Sequence, residues 1–425
     1  MVSWLRAAHA SAENRILTRR TTTTMPETHS FFHPLLAADK RWAALEWNVS
    51  AAHAVDPGEL AACFADADAA PLARTLPLVL STDPNWLLDS EFIDKFEADQ
   101  AIFVLPASLL DDGQTLARCQ ELRKKGRHLA LRLDSSEVVK RLPPATFDHV
   151  HLDAAVARYE FSALDLSAIE KARLRKIAVG VASADAFEWL AGKHFDLADG
   201  SFVTVVDPTA SAEPDLARLK VLRLLSLVIQ DADTSDLEEV FRQEARLSYN
   251  LLRLVNSVAV GAKTRISSFN QAIALLGRRQ LQRWLQLLIY ADQLAHASKP
   301  NPLLQLAAQR GRQMELLCAS LGSTDEAADL ADAAFMTGIF SLLDVLLKMP
   351  MSEILGELPL PPDVASALST RQGALGSLLA AVVAGESRDF GSARALLSSL
   401  GIRPSCHASA QVGAFHWASR INSER

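Results

Sequence analysis

The fold of the C-terminal half is decided by residues Leu247–Tyr290, which read LSYNLLRLVNSVAVGAKTRISSFNQAIALLGRRQLQRWLQLLIY. The first part carries an apolar stripe at helical spacing, formed by Leu247, Leu251, Leu254, Val255 and Val258. Gly261 suits the left-handed residue that ends a helix, and Ser268–Gln271 has the spacing of a capping box that begins a second one. A third apolar-periodic segment starts at Gln280. The pattern predicts three helices in one compact module.

The composition limits the class of protein. The chain has 425 residues, of which 49% are hydrophobic, so two hydrophobic cores are expected. A net charge of -7 argues against a surface for duplex nucleic acid or for an anionic membrane. The four cysteines form no CxxC pair, and no uninterrupted apolar run is long enough to span a bilayer. We therefore expect a soluble cytoplasmic protein without disulfides.

Short apolar segments alternate with helix-like segments between Phe31 and Val206, which predicts a parallel sheet with crossover helices. The predicted strands are 78–80, 101–105, 128–133, 149–152, 177–181 and 202–206, and the predicted helices are 87–97, 109–125, 164–174 and 184–192. This segment is shorter than the ~250 residues of a typical eightfold barrel. We therefore predict a shortened or irregular (β/α) barrel.

Prolines between residues 208 and 214 mark a linker, and the periodicity beyond it is helical throughout. The predicted helices there, besides the module, are 237–246, 303–321, 327–348, 364–368, 373–384 and 393–400, with Pro404 in a loop. The predicted fold is multidomain, α/β followed by all-α. Its parts are a disordered tail over 1–29, an α/β domain over 30–206 and a helical domain over 207–425.

Three segments in the C-terminal half carry a family resemblance. They are LSYNLLRLVNSVAVG, ISSFNQAIALLGRRQLQRWL and AAFMTGIFSLLDVLLKMPMSEIL, and in this order they resemble the HDOD family, a degenerate relative of the metal-dependent HD phosphohydrolases. The resemblance implies an HD-related helical bundle that acts as an interaction module. An HD hydrolase requires a His-Asp pair, but the sequence contains no His-Asp dipeptide, and Gly338–Ser341 stands where one is expected. Hydrolysis by this half is not expected.

The N-terminal half resembles an EAL domain, the barrel that hydrolyses cyclic di-GMP, in the clipped form that precedes HDOD domains. That family uses several carboxylates, an asparagine and a lysine to hold two metals. Here Ala44–Trp47 keeps only the glutamate of the Glu-Ala-Leu signature, Ser81 replaces the asparagine, and Asp199 replaces a glutamine ahead of a glycine. His151 stands at the lysine position. The resemblance implies a vestigial site face made of Glu46, Asp134, Asp148, His151 and Asp153.

Two readings remain open for a group on one predicted strand. His149, His151 and Asp153 alternate in sequence, so they face one side of the strand, where they could bind a transition metal. The alternative, which we favour, is a polar rim of the vestigial barrel mouth with satisfied hydrogen bonds.

Two further patterns have a structural and a functional interpretation. Arg388-Asp389-Phe390-Gly391 echoes EAL and kinase motifs, but its helical surroundings predict a connection between two helices. A candidate partner-binding patch lies in the three-helix module and comprises Arg253, Asn256, Arg278, Arg279 and Arg283. Its alternative is a set of solvated helix faces.

These observations lead to the hypothesis of a non-catalytic bacterial signal-transduction protein linked to cyclic-dinucleotide regulation. Its EAL-like barrel and HDOD bundle would serve as binding or scaffolding modules. The expected partners are other signalling proteins, with cyclic di-GMP as a candidate ligand, and no cofactor is expected. The alternatives are an active cyclic di-GMP phosphodiesterase that needs Mg²⁺ or Mn²⁺, and a metal-dependent HD phosphohydrolase.

Overall fold

The computed structural model describes residues 28–88, 90–205, 226–227, 229–230, 271, 282–290, 301–321 and 325–421. Residues 1–27 of the predicted tail and most of the three-helix module lie outside the described residues. So do four members of the candidate patch, which are Arg253, Asn256, Arg278 and Arg279. Elements are numbered below over the described residues only.

Eight strands close into a barrel, in the order in which they occur along the chain. They are β1 (His29–Leu36), β2 (Trp42–Ser50), β3 (Leu78–Ser81), β4 (Ala101–Leu105), β5 (His128–Arg132), β6 (His149–Asp153), β7 (Arg175–Val179) and β8 (Leu197–Asp199). Neighbours from β2 to β8 pair in parallel, whereas β1 pairs antiparallel with both β2 and β8. The prediction of an irregular barrel is confirmed. Its strand number is not reduced, because the β1–β2 hairpin needs no crossover helix.

The sequence failed to predict the strands at both ends of the barrel. β1, β2 and β8 were not predicted, and β1 already begins at His29, which had been placed in the tail. β2 carries Glu46 and Asn48 among apolar residues, and β8 has only three residues, so neither shows a clear strand pattern. The predicted strand over 202–206 is wrong, because residues Ser201–Thr204 form a 3₁₀ turn.

Short helices surround the barrel. They are α1 (Pro57–Asp66), α2 (Ala70–Ala73), α3 (Ser90–Asp94), α4 (Gly113–Lys124), α5 (Ala154–Tyr159), α6 (Ala163–Lys171) and α7 (Ala184–Gly192). Side-chain caps fix several starts: Ser183 accepts a hydrogen bond from the backbone of Ala186 at the start of α7. Inside the barrel, the strands contribute an apolar plug of Leu35, Ala44, Val79, Ile102, Val104, Ala130, Ile177 and Leu197. Polar residues of the same strands therefore collect beyond this plug.

The described part of the C-terminal half is helical, as predicted. Its helices are α8 (Pro302–Ala319), α9 (Asp325–Phe340), α10 (Leu343–Leu347), α11 (Met351–Glu357), α12 (Pro362–Thr370), α13 (Gly373–Glu386), α14 (Phe390–Ser399) and α15 (Pro404–Ala418). The predicted helix over 327–348 is interrupted after Phe340, and Pro404 begins a helix where a loop had been predicted. Proline is tolerated there because the first turn needs no N–H donor.

One segment of this half has the length and apolarity of a membrane span. Leu330–Leu347 has a mean hydropathy of 1.8 over 18 residues, and 67% of that window is buried inside the protein. Core helices of soluble proteins pass the same test.

The barrel and the bundle share one hydrophobic cluster. Phe31 of β1 stacks on Phe390 of α14 with 4.7 Å between ring centroids, and Trp42 of β2 contacts Phe415 of α15 at 5.3 Å. The backbone N–H of Phe32 also donates to the side chain of Gln411 at 3.2 Å. The bundle therefore covers the β1–β2 side of the barrel. The division between residues 206 and 207 stays a prediction.

Helices α8 and α9 approach each other at two glycines. A Cβ atom on Gly338 would lie 2.6 Å from the Cα of Gly311, a distance that real Cβ atoms do not show. The backbones can be this close only because neither residue has a side chain. Gly338 also lies in the segment where an HD enzyme would carry its metal-binding dipeptide, so close helix packing occupies this position.

We expect Gly338→Ala to destabilise the protein by about 1–3 kcal/mol, because the added methyl group forces the two helices apart. Gly356 in α11 is the matched control, since nothing lies within 4 Å of a Cβ placed there. Gly356→Ala should gain about 0.5–1 kcal/mol from helix propensity. Urea unfolding of both variants measures the difference, and equal effects would disprove the close-packing explanation.

Candidate functional site

Charged and polar side chains collect at the mouth of the barrel, where the parallel strands end. Glu46 of β2 and Asp199 of β8 are both buried here, at 8% and 1% exposure. Between them lies the guanidinium of Arg388, which comes from the connection between α13 and α14 in the bundle. Its Nη2 donates to Oε2 of Glu46 at 2.6 Å and to Oδ2 of Asp199 at 3.0 Å. One nitrogen therefore bridges two carboxylates of the barrel.

Asp199 is held rigidly by its surroundings. Its Oδ1 accepts from the backbone N–H of Ser201 at 3.0 Å, and its Oδ2 accepts from the Ser201 hydroxyl at 3.2 Å and from the Gly180 N–H at 3.3 Å. A carboxylate that accepts this many hydrogen bonds has a fixed side-chain orientation. It therefore presents its remaining acceptor capacity to Arg388.

The backbone at Arg388 has a conformation that favours glycine. Its φ angle is 65°, and it follows the last turn of α13. Its N–H donates to Gly385, and the N–H of Asp389 donates to Ala384, which is the pair of hydrogen bonds that ends a helix in a Schellman motif. Arginine at this position bears a backbone strain that glycine would not.

His33 of β1 links the same connection to the barrel. Its Nε2 lies 2.9 Å from the carbonyl oxygen of Gly385, and its ring lies 5.8 Å from that of Phe390. Burial and the neighbouring charge of Arg388 lower the pKa of His33. A neutral imidazole can donate one hydrogen bond to the Gly385 carbonyl. Segment 385–390 is therefore docked on the mouth at three points, through Gly385, Arg388 and Phe390.

Two polar strand residues complete the mouth. Arg132 of β5 donates to the hydroxyl of Ser81 on β3 at 2.6 Å. His151 of β6 is 5% exposed, and burial together with Arg132 and Arg388 lowers its pKa to about 4. The mouth therefore contains a neutral histidine flanked by two guanidinium groups.

The predicted vestigial face is only partly assembled. Glu46, His151 and Asp153 belong to the mouth, and Asp134 follows β5 at the same end. Asp148 precedes β6 at the opposite end of the barrel, where it pairs with Arg123 at 2.6 Å. Placing Asp148 in the same face was therefore wrong. Two side chains of an extended strand point to the same side only when they are an even number of positions apart, and Asp148 is five positions before Asp153.

The metal hypothesis for His149, His151 and Asp153 is not supported by their surroundings. His149 lies one strand layer deeper than His151, is 3% exposed, and has a pKa lowered to about 4, first by burial and then by Arg175. Oδ1 of Asp153 accepts from the N–H groups of Ala155 and Val156, so it caps α5. The cap formed by Asp153 fits the polar rim better than a ligand set. The expectation of satisfied hydrogen bonds is wrong for the histidines, because both ring nitrogens of His149 and the Nδ1 of His151 are buried without a hydrogen-bond partner among the described residues.

The metals that the EAL resemblance implies do not fit the residues at the mouth. Within the described ranges, no group of three or more His, Cys, Asp or Glu side chains is placed to hold a metal ion. The two carboxylates that converge, Glu46 and Asp199, converge on a guanidinium. A divalent cation would have to share their oxygens with an arginine that already carries the compensating charge.

A second buried guanidinium, that of Arg310, bonds to the end of the segment Gly338–Ser341. Arg310 of α8 is 3% exposed, pairs with Glu386 of α13 through Nε at 3.0 Å and through Nη2, and donates to the hydroxyl of Ser341 at 2.7 Å. Glu386 lies two residues before Arg388. The core of the bundle and the mouth of the barrel are therefore joined through the end of α13.

Arg283, the described member of the candidate patch, belongs to an internal network. It donates to the carboxylates of Glu315 and Asp332, and its guanidinium lies 4.9 Å from the ring centroid of Phe335. These contacts stabilise the packing of the bundle. Partner binding by the patch stays a prediction that concerns its other members.

Sequence reasoning missed Arg388 and His33 and undervalued Asp199. The Arg-Asp-Phe-Gly segment does connect two helices, as predicted, but its arginine also enters the barrel. The available signal was an arginine, rather than glycine or asparagine, just after a helix end. Which carboxylates it meets, 342 and 189 residues away in sequence, could not be deduced from local pattern.

The fold and the mouth define a class of two-domain protein. Its members have an eight-stranded barrel with EAL-like sequence features, followed by an HD-related helical bundle. Residues 217–353 match the family model of the HDOD domain. The C-terminal half of the chain therefore contains an HDOD domain.

Two curated relatives match part of the chain. The cyclic di-GMP phosphodiesterase CdgJ of Vibrio cholerae is 30% identical over 208 residues, which are 49% of this chain and 47% of CdgJ. The uncharacterized protein YuxH of Bacillus subtilis is 32% identical over 136 residues, which are 32% of each chain. The chain thus spans less than half the length of either relative.

Solved structures of EAL proteins also match. The PaMucR phosphodiesterase in complex with c-di-GMP has 14% identity and a TM-score of 0.32, with coverage of 41% of this chain and 95% of that one. The EAL domain of Mycobacterium smegmatis DcpA has 18% identity and a TM-score of 0.31, with coverage of 40% and 87%.

We expect the stability of the protein to fall in mild acid. The folded state holds His151 with a pKa of about 4 against an ordinary value of 6.5, so between these values the unfolded chain binds a proton that the folded chain does not. The free energy of unfolding should therefore decrease as the pH falls through this range. His151 alone contributes on the order of 3 kcal/mol.

Urea unfolding at several pH values between 7 and 4 measures this slope. His151→Gln should make the slope shallower, because glutamine does not titrate, and His149, whose pKa is also lowered to about 4, accounts for part of the slope that remains. His53→Gln, which changes an exposed histidine on the β2–α1 connection, is the control. A slope that is equally steep in wild type and His151→Gln would contradict the assignment.

Proposed function

We propose that the chain is a non-catalytic bacterial signal-transduction protein in cyclic-dinucleotide-linked regulation, with the barrel and the HDOD bundle acting as binding or scaffolding modules. The observation that carries this proposal is the bridge from Arg388 to Glu46 and Asp199. It joins the retained glutamate of the EAL-like signature to the bundle instead of leaving it available to a metal.

A guanidinium cannot replace a catalytic metal. A divalent metal ion polarises the phosphoryl oxygen and lowers the pKa of a bound water, so that it supplies the nucleophile. Arginine can donate hydrogen bonds and neutralise charge. It stays protonated and is not a Lewis acid, so it cannot lower the pKa of a bound water. A mouth built around Arg388 therefore supports recognition and domain contact, not hydrolysis.

The second candidate is an active cyclic di-GMP phosphodiesterase. It is favoured by the name of CdgJ, the relative with 30% identity over about half of this chain. The cellular location that we propose is the cytoplasm. All four cysteines are free thiols, and Cys63, Cys119 and Cys318 are buried, which suits a reducing compartment. No cofactor is proposed, and other signalling proteins are the proposed partners.

We expect no turnover of cyclic di-GMP. The assay incubates the full chain with cyclic di-GMP and Mn²⁺ or Mg²⁺ and separates linear pGpG by chromatography. Product should not exceed the protein-free blank, because Glu46 is committed to Arg388. Metal-dependent pGpG formation that disappears in Glu46→Gln, with an unchanged fold by circular dichroism, would refute the non-catalytic proposal and establish the phosphodiesterase.

Partner binding can be tested by charge reversal in the candidate patch. Arg283→Glu would place a carboxylate against Glu315 and Asp332, so we expect it to lower the melting temperature. The double variant Arg278→Glu, Arg279→Glu leaves Arg283 in place and should lose binding partners in a pull-down, with the melting temperature of both variants measured alongside. An unchanged set of partners would remove these two arginines from the candidate surface.

A further inference from the structure

The connection between α13 and α14 bears three costs that its contacts must offset. Arg388 occupies a left-handed conformation at φ 65°, its guanidinium is partly buried, and the carboxylate of Asp199 that it meets is 1% exposed. Backbone strain of this kind persists where the surrounding structure imposes it. A glycine would end α13 with less strain, so the helix end does not account for the arginine.

The contacts of the Arg388 side chain with the barrel account for an arginine at this position. The two carboxylates that Arg388 bridges come from β2 and β8, which are the neighbours of β1 on either side. β1 itself contributes His33 and Phe31, which contact Gly385 and Phe390. The hydrogen bonds and ring contacts named here between segment 385–390 and the barrel thus fall on three adjacent strands. Together these strands form a receptor for one guanidinium and the ring that follows it two residues later.

The same segment is tied to the centre of the bundle. Glu386, at the end of α13, is held by Arg310, and Arg310 also binds Ser341 after α9. A shift of Ser341 or Arg310 would therefore move the residue two positions before Arg388. The contact with the barrel and the packing of the HDOD core are mechanically connected.

We propose that the barrel mouth is a guanidinium-binding site whose resident ligand is Arg388, so that segment 385–390 is a latch by which the HDOD bundle closes the vestigial EAL site. The inference rests on the proposed function, because it concerns the same mouth. It explains how the bundle controls access: any cationic group that engages Glu46 and Asp199 must displace Arg388.

The test compares two cations that both occupy left-handed positions at helix ends. Lys348 has φ 54°, is exposed, and forms no ion pair with any residue that the structure describes, so Lys348→Gly removes strain without removing a contact. Arg388→Gly removes the same strain together with the latch. We expect Lys348→Gly to melt at or above the wild-type temperature. We expect Arg388→Gly to melt below it.

Hydrogen exchange of the full chain locates the effect. In Arg388→Gly, amides of 385–391 and of 197–201 should exchange faster by on the order of tenfold, the loss expected for a charge-assisted hydrogen bond. Millimolar guanidinium chloride should restore protection in Arg388→Gly, whereas sodium chloride should not. It should fail to do so in the double variant Arg388→Gly, Asp199→Asn, in which the receptor is incomplete.

A further variant keeps the proposal testable if Arg388→Gly folds poorly. Arg388→Lys retains the charge but not the planar donor group, so its exchange should be intermediate between wild type and Arg388→Gly. The latch is disproved if Arg388→Gly is as stable and as protected as Lys348→Gly, or if Arg388→Lys exchanges as fast as Arg388→Gly. None of these measurements depends on turnover of cyclic di-GMP, so the latch and the non-catalytic proposal can fail separately.

Discussion

Two buried carboxylates at one end of an otherwise apolar barrel impose the main constraint on this structure. Glu46 and Asp199 are removed from water, and an unpaired buried charge costs several kcal/mol by order of magnitude. The cation that compensates them comes from the bundle, through Arg388. The position of the α13–α14 connection, the docking of Gly385 on His33 and the stacking of Phe390 on Phe31 are consistent with this one requirement.

The topology of the barrel explains how a second domain can supply the cation that compensates these carboxylates. Since β1 and β2 form an antiparallel hairpin, no crossover helix separates them, and among the described residues no barrel helix covers the β1 side. The bundle covers that side with α13, α14 and α15, and the aromatic contacts of Trp42 and Phe31 lie in the shared interface. The hydrophobic effect brings the two halves together, and the ion pairs determine how they align.

The sequence predicted the fold wherever a pattern was local. Helical periodicity predicted α8, α12, α13 and α14, and apolar runs predicted β3 to β7. It failed at β1, β2 and β8, where polar residues of the mouth interrupt the alternation and the strands have partners far apart in sequence. The site followed the same rule. Glu46, His151 and Asp153 were named from the resemblance to EAL domains, which also misplaced Asp148. The role of Arg388 depends on a tertiary contact that no local pattern contains.

Two guanidinium groups each join side chains from separate elements of the fold. Arg388 lies between the carboxylates of the barrel, and Arg310 lies between Glu386 and Ser341 in the bundle. A buried ion pair is weak evidence for net stability, because apolar residues of similar volume often pack as well. We therefore interpret these pairs as determinants of geometry. A planar donor that can satisfy acceptors on two elements at once fixes their relative orientation, and apolar packing alone would leave that orientation less strictly defined.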